Sequence, residues 1–239
     1  MRRILTLTQF LLRDLFGSLA GVVPLAAALA FGLIAFEYGM DQAQFMTVSG
    51  VATGLLCLLT TLLLANRANR ASLYLLLARL HRRVELLVAL VFGSLVVTTV
   101  LTLLIVAPNL AVGRLTLDFP SALWVVPTWL PLWLMMAALA LCLSGLVERS
   151  GSHLVGYILV AALLVANDRQ SFLEEHGLNW LVRVVNGILW PVDTALSMAS
   201  AGIHGRSYFL ALGVLLVYAV LLFGLAAQLF VDKDLLWAE

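Results

Sequence analysis

The chain has 239 residues, 63% of them hydrophobic and only 11% charged, with a mean hydropathy of +1.06 and a net charge of +1. Soluble domains carry about 25% charged residues, so this composition cannot cover a water-facing surface, and its near-neutral balance excludes a nucleic-acid footprint. What remains is an all-α polytopic membrane protein, read as one transmembrane domain over residues 1–239.

The first sixteen residues, MRRILTLTQFLLRDLF, are amphipathic: Ile4, Leu7, Leu11 and Leu15 fall near helical spacing, and Arg2, Arg3, Arg13 and Asp14 supply polarity. They read either as an interfacial helix with arginines toward anionic head groups or as a polar extension of the first span. No small-residue cleavage site of a secretory signal follows them. Residues 17–36 form a first uncharged run of the length that crosses a hydrocarbon core. A short acidic turn with Glu37 and Asp41 leads to a second uncharged run, 45–65. Gly17/Gly21 and Gly50/Gly54 place a small-xxx-small spacing in each, which reads as close helix packing.

Residues 66–85, NRANRASLYLLLARLHRRVE, are different in kind. Arg67, Arg70, Arg79, Arg82 and Arg83 surround an apolar stretch that includes Leu73, Leu76 and Leu77. The segment is too charged to span a bilayer and too apolar for a plain loop, so it is expected to lie along the surface as a helix ending near Glu85. The third run is 86–107, followed by a loop from Pro108 holding Arg114 and Asp118. The fourth is 122–147, whose first half contains Pro127, Pro131 and Trp124, Trp129 and Trp133; clustered tryptophans favour the head-group level. A fifth span is expected over 150–167, although its uncharged core, 154–166, falls short of a full crossing.

Between 167 and 207 lies the longest polar stretch, with Asp168 and Arg169 at its start. Within it, LNWLVRVVNGILW (178–190) has a helical apolar stripe, with Trp180 and Trp190 near its ends and Arg183 between them. Such a piece suits an outer interfacial or re-entrant helix lining a vestibule, and Pro191 is expected to end it. The sixth span is 208–231. Placing both termini in the cytoplasm puts ten of the fourteen basic residues on the inner side, the bias that orients membrane proteins.

Chemistry-bearing motifs are sparse. No phosphate-cradling Gly-x-x-x-x-Gly-Lys-Ser/Thr occurs. His81, His153, His176 and His204 lie too far apart for a metal-spaced pair. Cys57 and Cys142 sit within apolar runs and read as small packing residues. The spans carry no Asp, Glu, Lys or Arg, which argues against intramembrane catalysis and against a proton- or sodium-coupled pump. The chain is therefore read as no enzyme, with no cofactor or metal of its own.

Six spans, an amphipathic start and a basic helix between spans two and three resemble a membrane subunit of the type-2 ATP-binding-cassette exporters. The residues that carry the resemblance are SLYLLLARLHRRVELLVAL (72–90), the outer helix at 178–190 and the charged exit FVDKDL (230–235). The chain departs from the family's pattern in having Arg70 and Ala71 before the leucine-rich turn, Leu80 after Arg79, and Ala89 early in span three. The resemblance implies a permease that pairs with a separate P-loop ATPase, which holds the ATP, and with a second permease, alike or different. It implies a bacterial plasma membrane, and a coupling helix whose ATPase contacts come from Arg70, Leu73, Leu76, Leu77, Arg79, Arg82, Arg83 and Glu85. Two other readings stand beside it. The central arginines fit anchoring to anionic lipid, and the chain as a whole fits a non-catalytic membrane scaffold that binds a partner through residues 167–207.

Overall fold

The computed structural model describes residues 2–69, 84–115, 119–147 and 179–232, and these are mostly helical, with no strand among them. Seven helices account for them. α1 is Arg2–Phe16, and a 3-10 turn at Leu19–Gly21 leads into α2, Val22–Tyr38. α3 is Gln42–Ala68 and α4 is Val84–Ala111. α5 is Phe119–Cys142, α6 is Asn179–Ser200 and α7 is Arg206–Asp232. Five of these stretches are long and apolar enough to cross a membrane: Leu19–Tyr38, α3, α4, Ala122–Cys142 and Arg206–Val231. The expected crossing at 150–167 lies outside the described residues.

Local chemistry sets the helix ends. Gly39, at φ 69°, closes α2 where a side chain would be strained, and its N–H donates to the Ala35 carbonyl. Asp41 then opens α3 with a reciprocal cap: its carboxylate accepts the Gln44 N–H at 2.7 Å, and the Gln44 side chain accepts the Asp41 N–H at 3.4 Å. Residues Phe45–Ser49 wind as a π-helical turn before α3 resumes regular geometry. In the apolar interior, Thr53, Thr60 and Thr61 each donate a hydroxyl proton to the carbonyl four residues back at 2.7 Å, so no water is needed to satisfy them.

α3 is the hub. It packs between α4 and α5, α2 lies mainly on α4 while also touching α3, and α7 lies along α5. Two clusters mark the ends of the bundle. At one end, called the base, Leu7, Leu11 and Leu15 of α1 meet Leu64 and Ala68 of α3, Leu86 and Leu90 of α4, Leu146, and Phe230 of α7. At the far end, Phe45 and Met46 meet Leu115, Trp129, Tyr208 and the α6 residues Ala195 and Leu196. Both ends of the described chain, α1 and the C-terminal turn of α7, therefore sit at the base. The exposed large side chains on α2, α4 and α7, such as Leu33, Val100 and Val220, form the apolar outer wall that faces lipid.

Several expectations change. The spacing Gly17/Gly21 does not mark a helix-packing face: Gly17 lies in the turn after α1, and a Cβ on Gly21 would stand 2.7 Å from the Leu15 carbonyl oxygen. Gly50 and Gly54 do form a packing notch, against Trp129, Leu196 and Leu132. Helix α4 runs through Pro108 to Ala111, because a proline one turn from the end forfeits a single bond and Asn109 closes the end: its Nδ2 donates to the Ile105 carbonyl at 2.7 Å, and its own carbonyl accepts from Arg114 N and Leu115 N. The fourth span stops at Cys142, five residues short of its expected end, and 143–147 form a turn held by the Ser144 hydroxyl on the Leu141 carbonyl.

Pro191 does not end α6. The helix continues to Ser200 with the proline inside it, because its buried stripe of Val182, Val185, Ala195, Leu196 and Ala199 runs on past residue 191, and that packing outweighs one lost hydrogen bond. Trp129 and Trp133 turn inward rather than toward the surroundings of the bundle. They are 1% and 9% exposed, and their indole N–H groups donate to the Met46 carbonyl at 3.2 Å and to the Thr53 hydroxyl at 3.1 Å.

Replacing Gly50 with alanine puts a Cβ 2.8 Å from Leu196 and 2.9 Å from the Trp129 indole nitrogen. The expected cost is about 1–3 kcal/mol. Gly187→Ala meets nothing within 4 Å and is expected to gain about 0.5–1 kcal/mol through helix propensity. Thermal unfolding of both variants in the same detergent checks the pair; equal shifts would mean that the notch is not tight.

Candidate functional site

The base of the bundle is where the basic segment joins the described helices. Arg67, on the last turn of α3, donates Nε–H to the Asp14 carboxylate of α1 at 2.8 Å. The two are unequal in exposure: the arginine side chain is 10% exposed and the aspartate 41%. Such a half-open pair contributes only about 0–1 kcal/mol by itself. Removing Asp14 costs more than that figure, because a guanidinium already withdrawn from water is left without its counter-charge. One hydrogen-bonding atom of this arginine, Nη1, is buried without a partner.

Glu85 stands on the other side of the basic segment, in the first turn of α4, where a carboxylate complements the positive end of the helix dipole. Its Oε2 is also buried without a hydrogen-bond partner. Nearby, Asn69 Nδ2 reaches the Gly145 carbonyl at 3.5 Å, tying the end of α3 to the turn after α5. Of the residues expected to dock an ATPase, Glu85 is thus placed at the base. Arg70, Leu73, Leu76, Leu77, Arg79, Arg82 and Arg83 lie outside the described residues.

α1 lies across this base. Its Thr8 hydroxyl donates to the Ala89 carbonyl of α4 at 3.3 Å, and Gly93 of α4 receives Thr8 and Leu12 closely. Leu7, Leu11 and Leu15 face inward while Arg3, Gln9 and Arg13 face out. The interfacial helix is therefore built into the bundle as well as suited to head groups.

The far end is aromatic. Trp124 stacks on His204 with ring centroids 3.9 Å apart, and Tyr208 meets both rings edge-on. The Tyr208 hydroxyl shares a 2.8 Å hydrogen bond with that of Thr128, which in turn reaches the Trp124 carbonyl at 2.6 Å. Beside this cluster a small pocket is lined by Met40, Phe45, Ser49, Ile105, Asn109 and Leu115, with room for about one water at about 10 Å³ for its centre. Between base and far end, the Thr102 hydroxyl of α4 is buried with no partner among the described residues, and Cys57 is fully buried beside Thr98 and Ser94. Among the described residues, no three His, Cys, Asp or Glu come together as a metal site.

Of the outer residues expected to line a vestibule, Asp168 and Arg169 lie outside the described residues. Trp180, Arg183 and Trp190 share one exposed face of α6, opposite the buried Val182, Val185 and Leu196. The ion pair at the base and the His204 stack escaped the sequence reading. Asp14 and Arg67 are 53 positions apart, and His204 and Trp124 are joined only by the packing of α5 against α7, so no local pattern announces either.

Tyr208→Phe removes the bond to Thr128 without changing the ring packing. Hydrogen bonds between membrane helices average about 0.6 kcal/mol, so a loss of about that size is expected, read as the shift of the unfolding midpoint against wild type. A loss several-fold larger would mean that the hydroxyl holds more than Thr128. No protein-family profile, no curated protein and no solved structure matches this chain.

Proposed function

We propose that the chain is the membrane permease of an ATP-driven exporter, working with a separate P-loop ATPase and with a second permease, the same or different. The observation that carries this reading is the construction of the base. The basic, leucine-rich segment leaves α3 directly after the Arg67–Asp14 pair and returns through Glu85 into α4, while α1 is packed on α4 and tied to α3. A push on that segment is delivered into two adjacent spans and the interfacial helix at once. Anchoring to anionic lipid needs only the arginines; Leu73, Leu76 and Leu77 add the apolar stripe that suits a protein groove.

In this reading the chain crosses the membrane six times. α5 finishes at the base, whereas α6 finishes at the far end, from which α7 descends. We count one further passage between 143 and 200, which with the five long apolar stretches makes six. The same reading turns the base to the cytoplasm, the side the basic-residue bias supports, and puts the protein in a bacterial plasma membrane. The apolar walls suit an amphipathic cargo.

A second reading rests on α6. Its exposed Trp180, Arg183 and Trp190 are residue types enriched at protein interfaces, and they fit a scaffold that binds a partner through residues 167–207.

Purification of the tagged protein in mild detergent separates the two. The transporter reading expects a P-loop ATPase in stoichiometric amount. Changing Leu73, Leu76 and Leu77 to Asp should reduce its recovery by about tenfold or more while membrane insertion is kept, since truncating docked apolar anchors commonly costs several kcal/mol. ATPase recovery unaffected by those changes would remove the docking role from this segment. A partner that instead depends on Trp180 and Trp190 would establish the scaffold.

A further inference from the structure

We infer that Arg67 is a two-position latch: it holds Asp14 of α1 in this structure and takes Glu85 of α4 in a second arrangement that frees the C-terminal end of α1. Three observations carry the inference. Arg67 is only 8% exposed, yet its Nη1 is buried with no acceptor among the described residues. Glu85 has a buried Oε2 with no donor among them. Buried polar atoms in folded proteins are nearly always paired, so an orphan donor and an orphan acceptor of opposite charge at one end of a bundle ask for a state in which they are satisfied.

The register of α3 against α4 puts that state within reach. A Cβ on Gly93 would stand 3.6 Å from Leu64, so position 64 of α3 faces position 93 of antiparallel α4. Three residues further along α3, Arg67 faces the region of position 90. Glu85 is then offset by about five residues, about 7.5 Å along the axis at about 1.5 Å per residue. Packed helices lie about 8–10 Å apart, and an arginine and a glutamate extended toward each other cover that separation by side-chain rotation, with no break in either helix.

The two carboxylates that compete for the guanidinium hold different things. Asp14 belongs to α1 and is followed directly by the turn at 17–21, whereas Glu85 belongs to a helix already locked into the bundle by Leu86, Leu87 and Leu90. Transfer of Arg67 to Glu85 therefore leaves α3 and α4 joined and releases the hinge between α1 and α2. Because Arg67 and Glu85 flank the basic segment on its two sides, anything that draws the ends of that segment together favours the second position. The latch does not depend on what binds the segment.

Hydrogen–deuterium exchange of the full-length protein in lipid nanodiscs tests this without any ATPase, so its outcome is separate from that of the proposed function. Asp14→Asn should speed exchange over 14–21 by about tenfold, the factor that corresponds to losing one charge-assisted hydrogen bond. The discriminating variant is Glu85→Gln, which leaves both members of the Arg67–Asp14 pair in place: by removing the second position it should slow exchange over 14–21 below the wild-type rate. Glu85→Ala should do the same, which guards against a peculiarity of the glutamine. Unchanged or faster exchange at 14–21 in both Glu85 variants overturns the latch and leaves Arg67–Asp14 a fixed bridge.

Discussion

Inside a bilayer no water is available to complete a hydrogen bond, and this constraint shapes the bundle more than any apolar contact does. The threonines of α3 satisfy themselves on their own helix. The two interior tryptophans of α5 cannot, so each must find an acceptor on a neighbour. Trp129 finds it at Met46, inside the π-helical turn, and Trp133 finds it at Thr53, about two turns further on. Those two bonds fix the rotation and height of α5 on α3. Gly50 is the space that lets the Trp129 indole come close, and Gly54 seats Leu132 beside it. From that pairing the placement of α7 along α5, and of α6 over the π turn, follows by ordinary packing.

The spans were readable because their signal is the crudest one a sequence carries: a length of uncharged apolar residues matched to the thickness of lipid. What misled were rules drawn from average behaviour. Tryptophan clusters face head groups on average, but Trp129 and Trp133 have Met46 and Thr53 as acceptors inside the bundle, so their indoles turn inward. Proline ends helices on average, but Pro191 and Pro108 each lie where neighbouring packing or an asparagine makes up the loss. Small-xxx-small spacing meant packing at Gly50/Gly54 and a turn at Gly17/Gly21, and the difference is Ser18, whose hydroxyl bonds back to the Leu15 carbonyl and stops the helix. The charged contacts at the base were illegible for a different reason. Pairing residues 14 and 67 depends on how α1 lies across α3 and α4, which no periodicity encodes.

Charge is distributed with the same economy. The described interior between the two ends holds no ionised side chain, and the ion pair with its neighbouring Glu85 stands at the base, where α1 and the basic segment converge. A charge there is near enough to water for its burial to be affordable, yet close enough to three helices to distinguish one arrangement from another. At mid-bilayer the same pair would be expensive in every state.

The position of α1 follows from a balance between two nearly equal environments. Leu7, Leu11 and Leu15 are buried in the bundle, but at a membrane surface these side chains could bury equally well in acyl chains, and lipid is as apolar as a leucine cluster. The hydrophobic effect therefore does little to choose between a docked and an undocked α1. The choice falls to the contacts lipid cannot imitate: Thr8 on the Ala89 carbonyl, the close fit at Gly93, and Asp14 on Arg67. Each is worth about 1 kcal/mol or less in such a setting. A helix held by a few small polar terms rather than by a large apolar one is separated from its alternative position by a small free-energy gap. It is the element of this fold that a change in a single ion pair can move.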